Sequence, residues 1–325
     1  MSKVLPIVKP VLDSHQFAYS ANRCTDDAIA TLVHYIQQHL DRDCRNYVRS
    51  LFIDYSSAFN TIQPHIMTDI LLQYNVPAAY CLWILDFLTE RCQYVKANNR
   101  ISNKIVINTG APQGCVLSAV LFILYTNSLT KNTSSCKIIK YADDTVVLGL
   151  VSNNDETPYK ECISYVEKWC TDHYLQLNVK KTKEIIFDFR KKKMSQNASP
   201  ITIKDDSVEI VNNYKYLGCI IDSNLKWDDH VLNQVKKVNK RMYHLNFLKK
   251  FNVDCNIVAL FYNSVISSVI SYGMSCWFPG ITDKNKKLLD KPRKRGVRLT
   301  ESNLKSHQEI CNDQVKAFTS KVLKD

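Results

Sequence analysis

The alternation of apolar and polar residues divides the chain into a mixed first part and a helical second part. Over residues 25–40, TDDAIATLVHYIQQHL, apolar side chains at Ile29, Leu32, Val33, Ile36 and Leu40 fall on one helical face. Thr25 suits the N-cap, and Asp26 and Asp27 suit a first turn whose dipole favours negative charge. After the polar break DRDCRN, the run YVRSLFIDY (47–55) reads as a buried strand that ends in Asp54. HIMTDILLQY and AYCLWILDFL predict two helices parted by Val76-Pro77, and QYVKA and KIVINT predict two strands around the turn-like NNRISN. GAPQG is a loop that opens the apolar helix VLSAVLFILYTNSL, and KIIKYA and TVVLGL flank Asp143-Asp144 at hairpin spacing.

A helix over 158–175, the strand KEIIFDF and the exposed loop RKKKMSQNAS come next, followed by the strand-like NYKYLGCIID. The pattern then turns helical. Val231, Val235, Val238, Met242, Leu245 and Leu248 recur at helical spacing over 228–250, while Lys236, Lys237, Lys240, Arg241, Lys249 and Lys250 fall largely elsewhere on the wheel. A second, mostly apolar helix covers 254–275. The expected fold class is α/β (α+β) to about residue 222, then basic and helical, with the boundary at Asp222–Asp228.

Composition narrows the classes. With 325 residues, 45% hydrophobic and 23% charged, the chain has a globular make-up long enough for about two domains. No window approaches the ~18 uninterrupted apolar residues of a membrane span, and MSKVLPIVKP lacks the apolar core of a signal peptide. The expectation is an intracellular protein, in the nucleus, the cytoplasm or both, with no membrane partner. The 12 cysteines form no CxxC pair, and Cys162, Cys170 and His173 read as helix packing rather than a metal set. The net charge of +12 is uneven: residues 1–150 hold 13 basic and 11 acidic side chains, against 30 and 20 in residues 151–325. That asymmetry points to catalysis in the first half and polyanion binding in the second.

The chemistry rests on carboxylates. Asp54 closes a hydrophobic strand and Asp143 lies in the turn of a hydrophobic hairpin, so a strand paired beside that hairpin would bring them together. Carboxylates facing one another repel, and hard cations relieve that repulsion through oxygen ligands. Such an arrangement suits two-metal phosphoryl transfer. Alone, the hairpin is better explained as a polar turn.

The segments FIDYSSAFNTI, GAPQGCVLSAVLFILYTN, YADD, LNVKKTK and YKYLGCIID reverse that balance. In order and spacing they resemble the consecutive palm motifs of reverse transcriptases. With QFAYSANRCTDDAI upstream, the style is that of non-LTR (LINE-type) retrotransposon polymerases, over roughly residues 15–300. The resemblance implies a palm with an antiparallel sheet and packed helices. It divides the chain into partial fingers (1–46), palm (47–222) and a helical thumb with a C-terminal extension (223–325). It implies an RNA-directed DNA polymerase that takes an RNA template, a DNA primer or duplex and dNTPs; no protein partner is inferable.

By the same resemblance, Asp54, Asp143 and Asp144 hold two Mg²⁺ ions, with Mn²⁺ as a substitute, and the Tyr55 carbonyl is an additional ligand. Phe59 stands at the steric-gate position that crowds the sugar 2′ position. Gly110, Gln113 and Gly114 match the loop close to template base and incoming nucleotide, and Lys181 matches the lysine thought to protonate pyrophosphate. Tyr216, Leu217 and Gly218 match the primer grip. Lys291-Pro292-Arg293-Lys294-Arg295 reads as a nuclear import patch or a nucleic-acid contact.

The sequence also departs from the family pattern. Cys115 stands where Ser is usual, and Ala119 where Pro is usual. Only 24 residues precede the first helix, fewer than complete fingers need, so the alternative expectation is a truncated, non-catalytic nucleic-acid-binding remnant of such an element.

Overall fold

The computed structural model describes residues 3–191 and 199–322; most of RKKKMSQNAS lies outside them. By compactness the chain forms two units, residues 1–24 with 36–211, and residues 25–35 with 212–325. The division at Val211–Asn212 assigns the strand-like segment before Asp222 to the second unit.

The first unit is built on a five-stranded sheet. Strand β1 (Tyr47–Ile53) has all seven residues buried, as expected for a strand covered on both faces. β2 (Cys136–Tyr141) and β3 (Asp144–Val151) form the hairpin around Ala142-Asp143, followed by β4 (Lys183–Phe187) and the short β5 (Glu209–Ile210). The spatial order is β5-β4-β1-β3-β2, antiparallel except for β4 with β5. Sequence separation is thereby overcome: β1 is flanked on one side by the hairpin and on the other by a strand that begins at Lys183.

Helices supply the core. α1 (Thr25–Arg42) begins at the expected Thr25. α2 (Pro64–Gln73), α3 (Ala78–Leu88), α4 (Val116–Tyr125) and α5 (Thr157–Asp172) bury Leu71, Ile84, Leu121, Phe122 and Val166 in one cluster with Leu51, Ile53 and Val147 of the sheet. Between α3 and α4, the expected strands QYVKA and KIVINT appear as a two-tier hairpin, Arg91–Gln93 with Ile105–Ile107 and Lys96–Ala97 with Arg100–Ile101.

In the second unit, NYKYLGCIID folds as a hairpin, Asn213–Tyr216 with Cys219–Asp222, turning at Leu217-Gly218. α6 (Asp228–Lys250) matches the expected helix. The continuous helix expected over 254–275 is interrupted: Cys255–Phe261 passes into a π-helical turn at Tyr262–Ser267, and the chain breaks at Tyr272-Gly273 before Met274–Trp277. Gly273 has φ 61°, which the apolar periodicity did not reveal. α7 (Asp283–Thr300) contains the basic run and buries Pro292. No single helix among the described residues is long and apolar enough to cross a membrane; the pair Cys255–Ser271 and Met274–Gly280 has the length and composition but is bent by 41°. No disulfide joins the cysteines, and the His173 ring stacks on Trp169 with centroids 4.0 Å apart.

Candidate active site

The sheet register brings the three aspartates together. β1 pairs with β3 up to Ile53↔Thr145, so one further step along the same register sets Asp54 opposite Asp144. Asp143 occupies the turn, with Tyr141 paired to Asp144 across it. Electrostatics report the same proximity. Asp144 is exposed to solvent, yet partial burial of its carboxyl and the nearby Asp143 and Asp54 charges raise its pKa to about 6. The Asp54 Oδ2 atom is buried and has no hydrogen-bond donor among the described residues, and the Lys181 ammonium stands 3.9 Å away.

The backbone around these acids is fixed by residues the motif reading had not singled out. The Asp54 N–H donates to Thr182 Oγ1 at 3.3 Å, and the Asn178 N–H donates to the Asp54 carbonyl at 2.9 Å. Thr182 in turn donates to the Asn178 carbonyl, so the lysine-bearing turn is tied to the strand end. Ala142 has φ 55°, a conformation uncommon for a residue with a Cβ. Its N–H donates to Oε1 of the buried Gln16 at 3.1 Å, and the Ala18 N–H donates to the same oxygen at 3.0 Å. Gln16 thus holds the residue just before Asp143. A periodicity signal could not have found it, because the two positions are 126 apart in sequence.

Tyr55 is buried, its hydroxyl 3.4 Å from Thr145 Oγ1, and burial above all keeps that phenol protonated. Phe59 is partly exposed and stacks on Phe122 with ring centroids 4.6 Å apart. The glycine loop is seated against it. The Ala111 N–H donates to the Phe59 carbonyl at 2.8 Å, and a Cβ on Gly110 would lie 2.6 Å from Asn60 Cα. Only glycine allows that approach, and its φ of 73° agrees. Gln113 and Gly114, which follow in this loop, are exposed. A cavity of about 890 Å³ opens beside them, lined in part by Asn60, Arg91, Gln93, Thr109 and Gln113.

Tyr216, Leu217 and Gly218 belong to the second unit and form the tip of its hairpin. Leu217 and Gly218 both have positive φ, 45° and 86°, as a tight two-residue turn demands. The Tyr272 hydroxyl donates to the Leu217 carbonyl at 2.7 Å, and its ring would meet a Cβ at Gly218 at 2.9 Å. Within that unit the buried His230 accepts the Ile220 N–H through Nδ1, and burial pushes its pKa down to about 4. In α7, Arg293 and Lys294 both pair with Asp290.

The donor set suits a hard cation: three carboxylates, one with a buried oxygen that accepts no hydrogen bond among the described residues. Among the described residues no group of three His, Cys, Asp or Glu is already drawn around a common centre.

Residues 1–221 match the family described as "Reverse transcriptase (RNA-dependent DNA polymerase)". The chain is 25% identical over 286 residues to the probable RNA-directed DNA polymerase from transposon BS of Drosophila melanogaster, covering 85% of this chain and 31% of that protein. Against the probable RNA-directed DNA polymerase from transposon X-element of the same species, identity is 24% over 277 residues, covering 82% and 30%. The chain spans about a third of the length of these relatives. In fold it is similar to the telomerase from Candida tropicalis solved with a fragment of telomeric RNA, with a TM-score of 0.51 at 11% identity over 96% of this chain and 56% of that one. The likeness is one of polymerase architecture.

Proposed function

The chain belongs to the reverse transcriptase (RNA-dependent DNA polymerase) family, and from that premise we propose that it carries RNA-templated transfer of dNTPs to a primer 3′-OH, as part of a non-LTR retrotransposon polymerase. The observation that carries the reading is the set of three carboxylates, Asp54, Asp143 and Asp144, brought together at the end of β1 and the turn of the β2–β3 hairpin. Polymerases of this fold use divalent metal ions, and these three side chains, with the Tyr55 carbonyl, are the groups that would hold Mg²⁺ or Mn²⁺. When bound, such ions lower the pKa of the attacking hydroxyl and neutralise the leaving pyrophosphate.

The chain's own residues account for the rest. Lys181, exposed beside Asp54, is the proton donor to pyrophosphate. Phe59 is held by its stack on Phe122 to crowd the sugar 2′ position, which favours dNTPs. Gln113 and Gly114 present an amide and a bare backbone to the nascent base pair. Tyr216, Leu217 and Gly218 position the primer end. The functional division is the one the motifs imply: partial fingers (1–46), palm (47–222) and thumb (223–325). The thumb lysines contact duplex phosphates without regard to sequence. The proposed setting is the nucleus, the cytoplasm or both, with the basic run of α7 as an import patch or a nucleic-acid contact.

Primer extension on an RNA template with Mg²⁺ tests this. Extension by the native chain that Asp143→Ala removes is the expected result. Extension that survives the substitution overturns the assignment of Asp143. No extension together with salt-sensitive RNA binding leaves the non-catalytic remnant as the function.

A further inference from the structure

Between Glu90 and Asp143 the chain contains no acidic residue, and Arg91, Lys96, Arg100 and Lys104 are concentrated in one short stretch of it. The fold makes that stretch into an arm. Arg91–Gln93 pairs with Ile105–Ile107, Lys96–Ala97 pairs with Arg100–Ile101, and Asn98 and Asn99 turn the tip with φ of 47° and 62°. The two tiers are joined by the Ser102 N–H to the Val95 carbonyl at 2.9 Å and by the Val95 N–H to Ser102 Oγ at 2.9 Å. Large apolar side chains lie in the open on this arm: Tyr94, Val95, Ile101, Ile105 and Val106 are each more than half exposed. None of its four cations pairs with a carboxylate among the described residues.

At the base of the arm lies the 890 Å³ cavity. Arg91 lines it and spends part of its guanidinium on backbone carbonyls: Nη2 donates to Gly110 at 2.9 Å and to Thr109, and Nε to Leu88 at 3.2 Å. Carbonyl dipoles do not neutralise a cation. Asn60, Gln93 and Gln113, which also line the cavity, are neutral amides that can donate to an anion.

We propose that the Arg91–Ile107 arm and the cavity at its base bind a single strand of nucleic acid, with one phosphate of that strand received against Arg91. Exposed cations along a ribbon with an aromatic ring and branched apolar side chains between them match the two needs of such a strand, phosphate neutralisation and surface for its bases. A protein partner would find the apolar surface but nothing acidic on the arm to answer its own cations. The inference deepens the polymerase reading, because the strand would be the template entering beside Gln113, but binding itself needs no catalysis. The phosphate chemistry is shared by a strand and by a nucleotide, and the two are separable.

The test is fluorescence anisotropy of the full chain with 5′-labelled single-stranded RNA and DNA twelve-mers across a salt series. Neutralising the arm in the triple variant Lys96→Ala, Arg100→Ala, Lys104→Ala is expected to weaken binding about 100-fold at 0.1 M salt and to lower the salt slope by about 2. Arg91→Gln is expected to weaken it further, and Arg91→Lys to restore most of that loss. Circular dichroism confirms that each variant is folded. Unchanged affinity and slope in the folded triple variant overturn the proposal. So does displacement of the strand by a dNTP through Arg91 alone with arm neutralisation silent, which assigns the cavity to a nucleotide. Self-association that the triple variant abolishes while RNA binding stays intact also overturns it and gives the arm to a protein contact. Primer extension with Asp143→Ala, run on the same samples, reports the polymerase reading separately.

Discussion

The two ends of β1 handle clustered carboxylates in opposite ways. Near its start, Arg49 is fully buried and grips the equally buried Glu184 with two hydrogen bonds of 2.8 Å, from Nε and Nη2, and Glu156 with a third from Nη1. Tyr159 donates to the Glu184 oxygen that Arg49 Nε also reaches, at 2.7 Å, and Tyr47 to the second oxygen of Glu156 at 2.8 Å. Gly149, paired with Arg49 across the sheet, makes room, because a Cβ there would sit 2.4 Å from the Tyr159 ring. Just past the other end, Asp54, Asp143 and Asp144 come together, and among the described residues the one cation paired with them is the exposed Lys181, 3.9 Å from Asp54. Neighbouring strands thus carry one acid cluster that is finished and one that is not. A completed network specifies structure, and an uncompleted one stores repulsion for a ligand to relieve.

The largest effect should come from breaking the finished end. Arg49→Leu leaves Glu184 buried without a cation, and a loss of about 3–5 kcal/mol is expected in urea unfolding. Adding Glu184→Leu should recover most of that loss, because the unpaired charge goes with it. At the unfinished end the sign reverses. Mg²⁺ at about a hundred times its Kd should stabilise the chain by about 2.7 kcal/mol, seen as a rise in melting temperature that Asp143→Asn abolishes.

A smaller effect separates charge from backbone support. Gln16→Leu leaves the Ala18 and Ala142 N–H groups without their acceptor, at a cost of about 1–3 kcal/mol in thermal unfolding. If Gln16 holds the turn, primer extension should fall by about tenfold more than RNA binding does. The smallest effect is the response to acid. Asp144 is raised to about 6, so the folded state binds that proton more tightly than the unfolded chain, and metal-free stability rises as pH falls from about 6 towards 4. Burial works to raise Glu156, but hydrogen bonds from Tyr47 and Arg49 outweigh it, so its contribution is present above the ordinary carboxylate range and lost as pH falls through its lowered pKa. Solvent screening limits the Asp144 effect to about 1 kcal/mol or less, and Asp144→Asn should remove the rise while leaving the acid loss.

What the sequence revealed follows from the range of each signal. Helical periodicity located α1 and α6, and the Asp-Asp turn between two apolar runs located the hairpin, because both patterns are local. The ordered motifs then supplied the pairing of Asp54 with that hairpin, which spacing alone left open. The finished cluster was invisible, since Arg49 and Glu184 are 135 positions apart and each merely interrupts an apolar strand. Arg91 was passed over for the same reason: its partners are carbonyls, which every residue possesses. The break at Tyr272-Gly273 escaped because apolar spacing continues through it, and the determinant is a positive φ at one glycine.

The segment that carries Gln16 has a further consequence. β2 is the last strand of the sheet, and its outer side receives a parallel bridge between Gln16 and Lys140, with the Lys140 N–H donating to His15 and the Phe17 N–H to the Lys140 carbonyl, each at 2.9 Å. The Lys140 ammonium is drawn inward, to Asp13 at 3.0 Å and to the Thr126 and Leu129 carbonyls. Residues 13–17 therefore act as a stopper on an open ribbon edge. Cutting them away would present unpaired peptide groups to solution and invite copies to join strand to strand. The same few residues that hold the aspartate turn also decide whether the protein stays dispersed.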